Sequence, residues 1–252
     1  MPDTYRIEWT YTPAGFFEAP VELTASDWRF AIDNGRVIGT ALYEAPQELA
    51  RLASGAHQEI EALFMGAQVL EHERFSLSEP GSILRIDANG TQHATVICGV
   101  GHMVMVPGRV DVQIGDPNGN VQVGTRQERI SARNAMAKRA LSRFSDRVAN
   151  AIVRSYNAAV SDSRNELVHP YEIRDALHSR FKSERAVRNA VGLSHAKWSE
   201  FGRLTCVEPL IEGRHRSEHP GALRPATREE LDKARSIARE MILGYFRWLE
   251  TP

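Results

Sequence analysis

The sequence predicts an α+β protein: a mostly antiparallel β half with one helix over residues 1–125, followed by an α-helical half over residues 126–252. Three observations carry this. Turn-forming dipeptides separate short alternating runs in the first half, the apolar period lengthens from two to between three and four after Thr125, and charge divides at the same place. Residues 1–125 hold 7 Lys and Arg against 16 Asp and Glu, whereas residues 126–252 hold 24 against 16, an asymmetry hidden in a net charge of -1.

In the first half, Arg6–Tyr11 alternates and stops at Thr12-Pro13. Trp28–Ile32 and Arg36–Tyr43 flank Asp33-Asn34-Gly35, a hairpin turn because Asn and Gly tolerate positive φ. A helix is expected from Pro46 to Glu73, with Leu49, Leu52, Ile60, Leu63, Phe64 and Val69 on one face and Gly55 as its weak point. Strands return at Ser82–Asp87 and Gln92–Cys98 around Ala88-Asn89-Gly90-Thr91, then at His102–Val106 and Arg109–Ile114 around Pro107-Gly108, and at Val121–Val123. Six to eight strands around one helix result. Trp9, Phe16, Phe17 and Trp28 read as core, since the negative charge around them disfavours stacking on nucleic-acid bases.

In the second half, Arg126–Asp162 reads as one helical stretch carrying Ile130, Met136, Leu141, Phe144, Val148, Ile152 and Tyr156, with Arg and Lys on its other faces. It starts as a linker helix. Glu166–Phe181 follows, where Pro170 requires the helix to start or kink nearby. Then come Ala186–Val191 and Ser194–Leu204, the latter capped by Ser194. Thr227-Arg228-Glu229-Glu230 forms a capping box, in which the Thr hydroxyl and the Glu carboxylate satisfy each other's orphan backbone donors. It opens the helix Arg228–Leu249, whose buried stripe is Leu231, Ala234, Ala238, Met241, Ile242, Tyr245 and Leu249.

Several function classes drop out. With 42% apolar and 25% charged residues the composition is that of an ordinary globular protein. Cys98 and Cys206 lie far apart and form no CxxC, so no disulfide framework or zinc site is expected, which fits a reducing, cytoplasmic setting. No signal-like start and no window of ~20 apolar residues is present, so no membrane association is expected. Gly99-Val100-Gly101 lacks the third glycine of a dinucleotide fold, and no GxxxxGK[ST] or GxSxG occurs. No cofactor is expected. His169 and His178 have no third ligand in view, and His93 with His102 reads as a structural pair on the sheet.

The richest local feature is Arg214-His215-Arg216-Ser217-Glu218-His219-Pro220-Gly221. Within six residues it holds four side chains able to carry positive charge, two of them imidazoles. An arginine is a planar cation that grips phosphate oxygens, and a histidine exchanges a proton near neutral pH, so the combination suits work on the phosphodiester of RNA. The alternative is a polar loop with solvated arginines and helix-capping histidines. The charge split has two readings as well: a nucleic-acid-binding half beside an acidic half that shields it, or two halves that attract each other.

The order of parts in residues 163–250 resembles the HEPN superfamily, the small helical domains of many prokaryotic ribonuclease toxins and defence proteins. The resemblance covers about a third of the chain. It rests on Glu172-Ile173-Arg174-Asp175-Ala176-Leu177 in a helix, a helical middle, an Arg-x4-His element in a loop and a long final amphipathic helix. The signature residues are Arg214, the polar His215 and His219, with Pro220-Gly221 where the family often has glycine directly after the histidine. The resemblance implies a bundle of four or so helices that forms a homodimer in which two such elements meet, and metal-independent endoribonuclease chemistry through the ribose 2'-hydroxyl. It assigns proton transfer to His219, phosphate binding to Arg214 and orientation of either to His215, with Arg216 and Arg174 binding substrate. The β-rich half would then be a sensor, a regulator or the docking site of a protein partner. The alternative is a non-catalytic dimerisation or RNA-binding module of the same fold.

Overall fold

The structure, a computed structural model, describes residues 2–43, 48–87, 89–96, 113–115, 121–214 and 222–251. Its architecture is α+β, with an N-terminal antiparallel sheet followed by helices through the C-terminal part. Packing separates two compact units: Met1–Phe64 with Phe75–Leu141, and Met65–Arg74 with Ser142–Pro252.

The first unit is built on β1 (Asp3–Thr12), whose alternation buries Tyr5, Ile7, Trp9 and Tyr11. With β2 (Val21–Ala25), β3 (Trp28–Asp33) and β4 (Arg36–Tyr43) on one side, and β6 (Ser82–Ile86) and β7 (Gln92–Val96) on the other, the order is β2-β3-β4-β1-β6-β7. All pairs are antiparallel. The short β5 (Ser76–Leu77) pairs with the end of β1. Asn34 and Gly35 take φ of 41° and 81°, as the expected hairpin turn requires. Gly39 lets aromatic rings close over the sheet, since a Cβ there would stand 3.0 Å from Phe30 and 3.1 Å from Trp9. The strands β8 (Gln113–Gly115) and β9 (Val121–Gly124) form a separate ladder. The expected strand His102–Val106 lies outside the described residues, as do His102 and Cys98. Neither β2 nor β5 was expected from the sequence: β2 buries only Val21, and β5 is two residues long, so both owe their form to pairing.

The helix α1 (Leu49–Glu71) runs through Gly55 without a break. Phe64 on its inner face stacks on Phe16 at 5.2 Å, and Tyr11, Phe17 and Phe75 pack edge-on or tilted around that pair. The basic helix α2 (Thr125–Ser142) packs within this acidic unit. Its Arg133, 1% exposed, holds its guanidinium over Phe16 at 4.1 Å, and Arg129 forks onto both Glu18 oxygens at 2.6 Å. The packing boundary therefore follows α2, at Leu141/Ser142, and not the charge boundary at Thr125/Arg126.

The single helical stretch expected over Arg126–Asp162 is in fact two helices. After α2, Asp146 accepts a 2.7 Å hydrogen bond from the Ala149 amide and starts α3 (Arg147–Ser161). A carboxylate at that place satisfies an orphan amide of a new first turn, which outcompetes continuation of the old helix. The remaining helices are α4 (Val168–Phe181), α5 (Glu184–Val191), α6 (His195–Gly202) and α7 (Arg228–Glu250). Pro170 sits in the first turn of α4, where its missing amide leaves no bond unmade. Ser183 and Ser194 cap α5 and α6, and the Thr227/Glu230 capping box starts α7. The buried residues of α7 include Ala234, Ala238, Met241, Ile242 and Tyr245, and α3, α4, α5 and α6 all pack on it.

Two glycines test this packing in opposite directions. A Cβ on Gly244 of α7 would collide with the Val191 carbonyl and stand 2.7 Å from its Cα, where backbone cannot yield, so Gly244→Ala is expected to destabilise by at least about 1–3 kcal/mol. Gly55 has open space around its Cβ position, and Gly55→Ala is expected to gain up to about 1 kcal/mol from helix propensity. Denaturant unfolding of the full chain measures both, and equal effects would mean that α5 and α7 do not pack so closely.

Candidate functional site

Spacing on α4 places Tyr171, Arg174 and Asp175 on one helical face, at i, i+3 and i+4. Arg214 meets that face. Its guanidinium lies 4.5 Å from the centre of the Tyr171 ring and pairs with Asp175 at 3.1 Å. The Arg174 guanidinium lies 5.8 Å from the same ring and 4.4 Å from that of Trp198 on α6. Two sequence-predicted residues, Arg174 and Arg214, are thus brought together around one aromatic ring. His215, Arg216 and His219 lie outside the described residues. Glu172, on the same helix, instead engages Ser155 at 3.1 Å and His169 at 3.5 Å.

Local backbone explains why Arg214 arrives there. After α6 the chain makes a wide π turn over Arg203–Val207, in which the buried Thr205 hydroxyl donates to the Phe201 carbonyl at 2.7 Å. The Arg214 amide then bonds the Thr205 carbonyl at 3.2 Å, while Leu210 bridges to Arg224 in parallel register. Both flanks of the Arg/His segment are therefore anchored: Ile211 donates to the Arg224 carbonyl at 3.0 Å, and Arg224 donates to that of Pro209 at 3.0 Å. Gly202 is part of the same arrangement. A Cβ there would occupy the space of Arg174 Nη1, so the missing side chain is what admits the guanidinium.

Burial pushes the Tyr171 phenol above its usual pKa, with Asp175 and Cys206 adding to the rise and Arg174 and Arg214 opposing it. It remains a neutral hydroxyl at physiological pH. The two guanidiniums supply planar, permanently charged donors, the chemistry that holds phosphate oxygens. Asp175 competes for Arg214, but both partners are about half exposed, so that pair is weak and exchangeable.

A second charged cluster in the same unit was missed from sequence. His72 follows α1 with a φ of 52°, and its Nδ1 stands 3.3 Å from the Tyr156 hydroxyl, its Nε2 3.6 Å from Glu166. Glu166 is buried and bonded to Arg235 Nε at 2.5 Å, and Arg239 Nε donates to the Val69 carbonyl at 2.9 Å. Burial chiefly, then the guanidiniums of Arg235 and Arg239, disfavour a charged imidazole, while the Asp232 carboxylate favours it. Burial and the guanidiniums win, and the pKa falls to about 4. No motif announces this cluster: its members are scattered from residue 72 to residue 239.

The depressed His72 value makes the fold acid-sensitive in a defined window. Between pH 6.5 and about 4 the unfolded chain binds a proton that native His72 refuses, so stability falls as pH drops through that range, and the loss is complete near the folded value. The total is on the order of 3 kcal/mol. Denaturant midpoints at several pH values in that window, for wild type and His72→Gln, are expected to show a pH slope that the variant reduces; parallel slopes would place the titration elsewhere. No protein-family model, curated protein or solved structure shows a significant match to this chain.

Proposed function

We propose that the helical part of this chain is a metal-independent endoribonuclease of the HEPN type, active as a homodimer. The observation that carries the reading is the pair of guanidiniums, Arg174 and Arg214, gathered on the Tyr171 ring, with Arg214 leading directly into His215, Arg216 and His219. In this reading Arg214 and Arg174 hold the phosphate, and Arg216 adds affinity through the backbone without reading sequence. The ribose 2'-oxygen attacks the adjacent phosphorus, the bond from phosphorus to the 5'-oxygen breaks, and a cyclic phosphate and a 5'-hydroxyl result. His219 serves as the base that takes the 2'-hydroxyl proton or the acid that protonates the leaving oxygen, and His215 orients it. Two elements meeting in a dimer would supply both roles. A role in prokaryotic defence or as a toxin follows from the family resemblance alone.

One observation favours a second reading, a non-catalytic RNA-binding or dimerisation module with the β-rich part as a partner-docking domain. Arg214 has a structural engagement, its amide on Thr205 and its guanidinium on Asp175, which is what a clasp would need.

Incubation of the purified full chain with tRNA, mRNA and synthetic oligonucleotides in EDTA separates the two. The enzyme reading expects cyclic-phosphate ends, a loss of about 10²–10⁴-fold in rate for His219→Ala, and a comparable loss for Arg214→Ala, with melting temperature and sedimentation unchanged. Gly202→Ala adds a positioning control: its methyl displaces the Arg174 guanidinium while the helix is retained, so RNA affinity is expected to fall without loss of stability. Salt-dependent RNA binding with no cleavage by wild type would establish the module reading instead.

A further inference from the structure

The β-rich unit contains a cavity of about 380 Å³, between the turn joining β2 to β3, the end of β4 and the first half of α1. That volume lies within the range of small-molecule sites. Three carboxylates, Asp27, Glu48 and Glu59, line it against one guanidinium, Arg51, and Trp28 and Tyr43 add aromatic surface.

Glu59 is the informative residue. Its side chain is buried, only 6% exposed, yet its Oε2 has no hydrogen-bond partner. Leaving a buried carboxylate oxygen unpaired costs about 1–3 kcal/mol or more, so the position is expensive unless something completes it. Burial pushes the Glu59 carboxyl above its usual pKa and Asp27 adds to the rise, while a hydrogen bond from Ser26 opposes it. The Tyr43 phenol is raised as well, first by burial and then by Asp27, whose Oδ2 stands 3.5 Å from its hydroxyl. Burial leads both shifts, and the Asp27 carboxylate adds negative charge to each.

A group that would complete the unpaired Glu59 oxygen has recognisable chemistry. Among the described residues no three His, Cys, Asp or Glu side chains converge so as to hold a metal ion, so the carboxylates here are spread along the cavity and not gathered around a point. Spread carboxylates with aromatic and aliphatic walls, including Leu52, suit an elongated organic cation, whose stem the apolar surface shelters and whose charge the rings and carboxylates attract. We propose that this cavity binds a small organic cation, an ammonium or guanidinium on a short aliphatic stem, with Glu59 as its buried counter-ion and Asp27 as the second carboxylate. The proposal is independent of the ribonuclease reading, since every residue it uses lies in the other compact unit.

Titration calorimetry of the full chain at about 0.1 M salt, where diffuse attraction to the acidic half is screened, tests it with agmatine, 1,4-diaminobutane and the neutral control 1-butanol. The expected result is saturable one-to-one binding of at least one of the two cations and none of butanol, with affinity reduced tenfold or more in Glu59→Gln. Asp27 is exposed, so Asp27→Asn provides a variant that folds whether or not Glu59→Gln does, and it too is expected to weaken binding. Absence of saturable binding to wild type by both cations overturns the proposal. So does binding that persists unchanged in Asp27→Asn and in a folded Glu59→Gln.

Discussion

The start of α7 is the constraint on which the helical unit depends. Glu230 there serves two masters at once: its carboxylate accepts from the Thr227 amide at 2.8 Å, closing the capping box, and takes both arms of the Arg224 guanidinium at 2.7 Å. Arg224 chiefly, and the cap next, hold its pKa down to about 2. Because Arg224 also exchanges backbone hydrogen bonds with Pro209 and Ile211, one carboxylate fixes both where α7 begins and where the Arg/His segment rejoins the fold. An exposed ion pair contributes little energy by itself, about 0–1 kcal/mol. Its importance here is geometric: the cap sets the phase of α7, and the phase decides that Ala234, Ala238, Met241 and Tyr245 face α3, α4, α5 and α6.

Several guanidiniums of the second half are engaged in ion pairs within the molecule. Arg203 is held by Glu200 and Glu208, Arg224 by Glu230 and Glu208, Arg235 by Glu166 and Asp232, and Arg129 of α2 by Glu18. All but the last of these pairings lie within the second half and leave its net excess of positive charge unchanged, whereas Arg129–Glu18 joins basic and acidic halves, so mutual attraction accounts for part of the charge split. What distinguishes Arg174 and Arg214 is their company. They share the Tyr171 ring, which lowers the cost of gathering like charges, and the weak, half-exposed Asp175 pair engages one arm of Arg214.

Buried charge is handled differently in the two units. In the helical unit Glu166 is matched by Arg235, and the Tyr156 hydroxyl and neutral His72 complete the cluster, which keeps the desolvation cost of each ion low. In the β-rich unit Arg133 is stacked on Phe16, whereas Glu59 keeps an oxygen without any partner. The first arrangement is that of a finished structural joint. The second is that of a site awaiting a ligand of opposite charge.

Local signals in the sequence were sufficient wherever one residue's own chemistry decides the backbone. Asn34-Gly35 set the hairpin, Ser194 and Thr227 with Glu230 set helix starts, and the i, i+3, i+4 spacing put Tyr171, Arg174 and Asp175 on one face. The break at Asp146 is written in the same code, although apolar periodicity continues across it and reads as a single helix. Tertiary structure alone decided that Asp175 and not Glu172 meets Arg214, that α2 joins the β-rich unit, and that Gly202 makes room for Arg174. It also assembled His72 with residues scattered as far along the chain as Arg239, and left Glu59 unpaired beside a cavity. The physical reason is range: caps and turns act over three or four residues and can be read along the chain, whereas a partner across the fold is selected by packing, which no local pattern encodes.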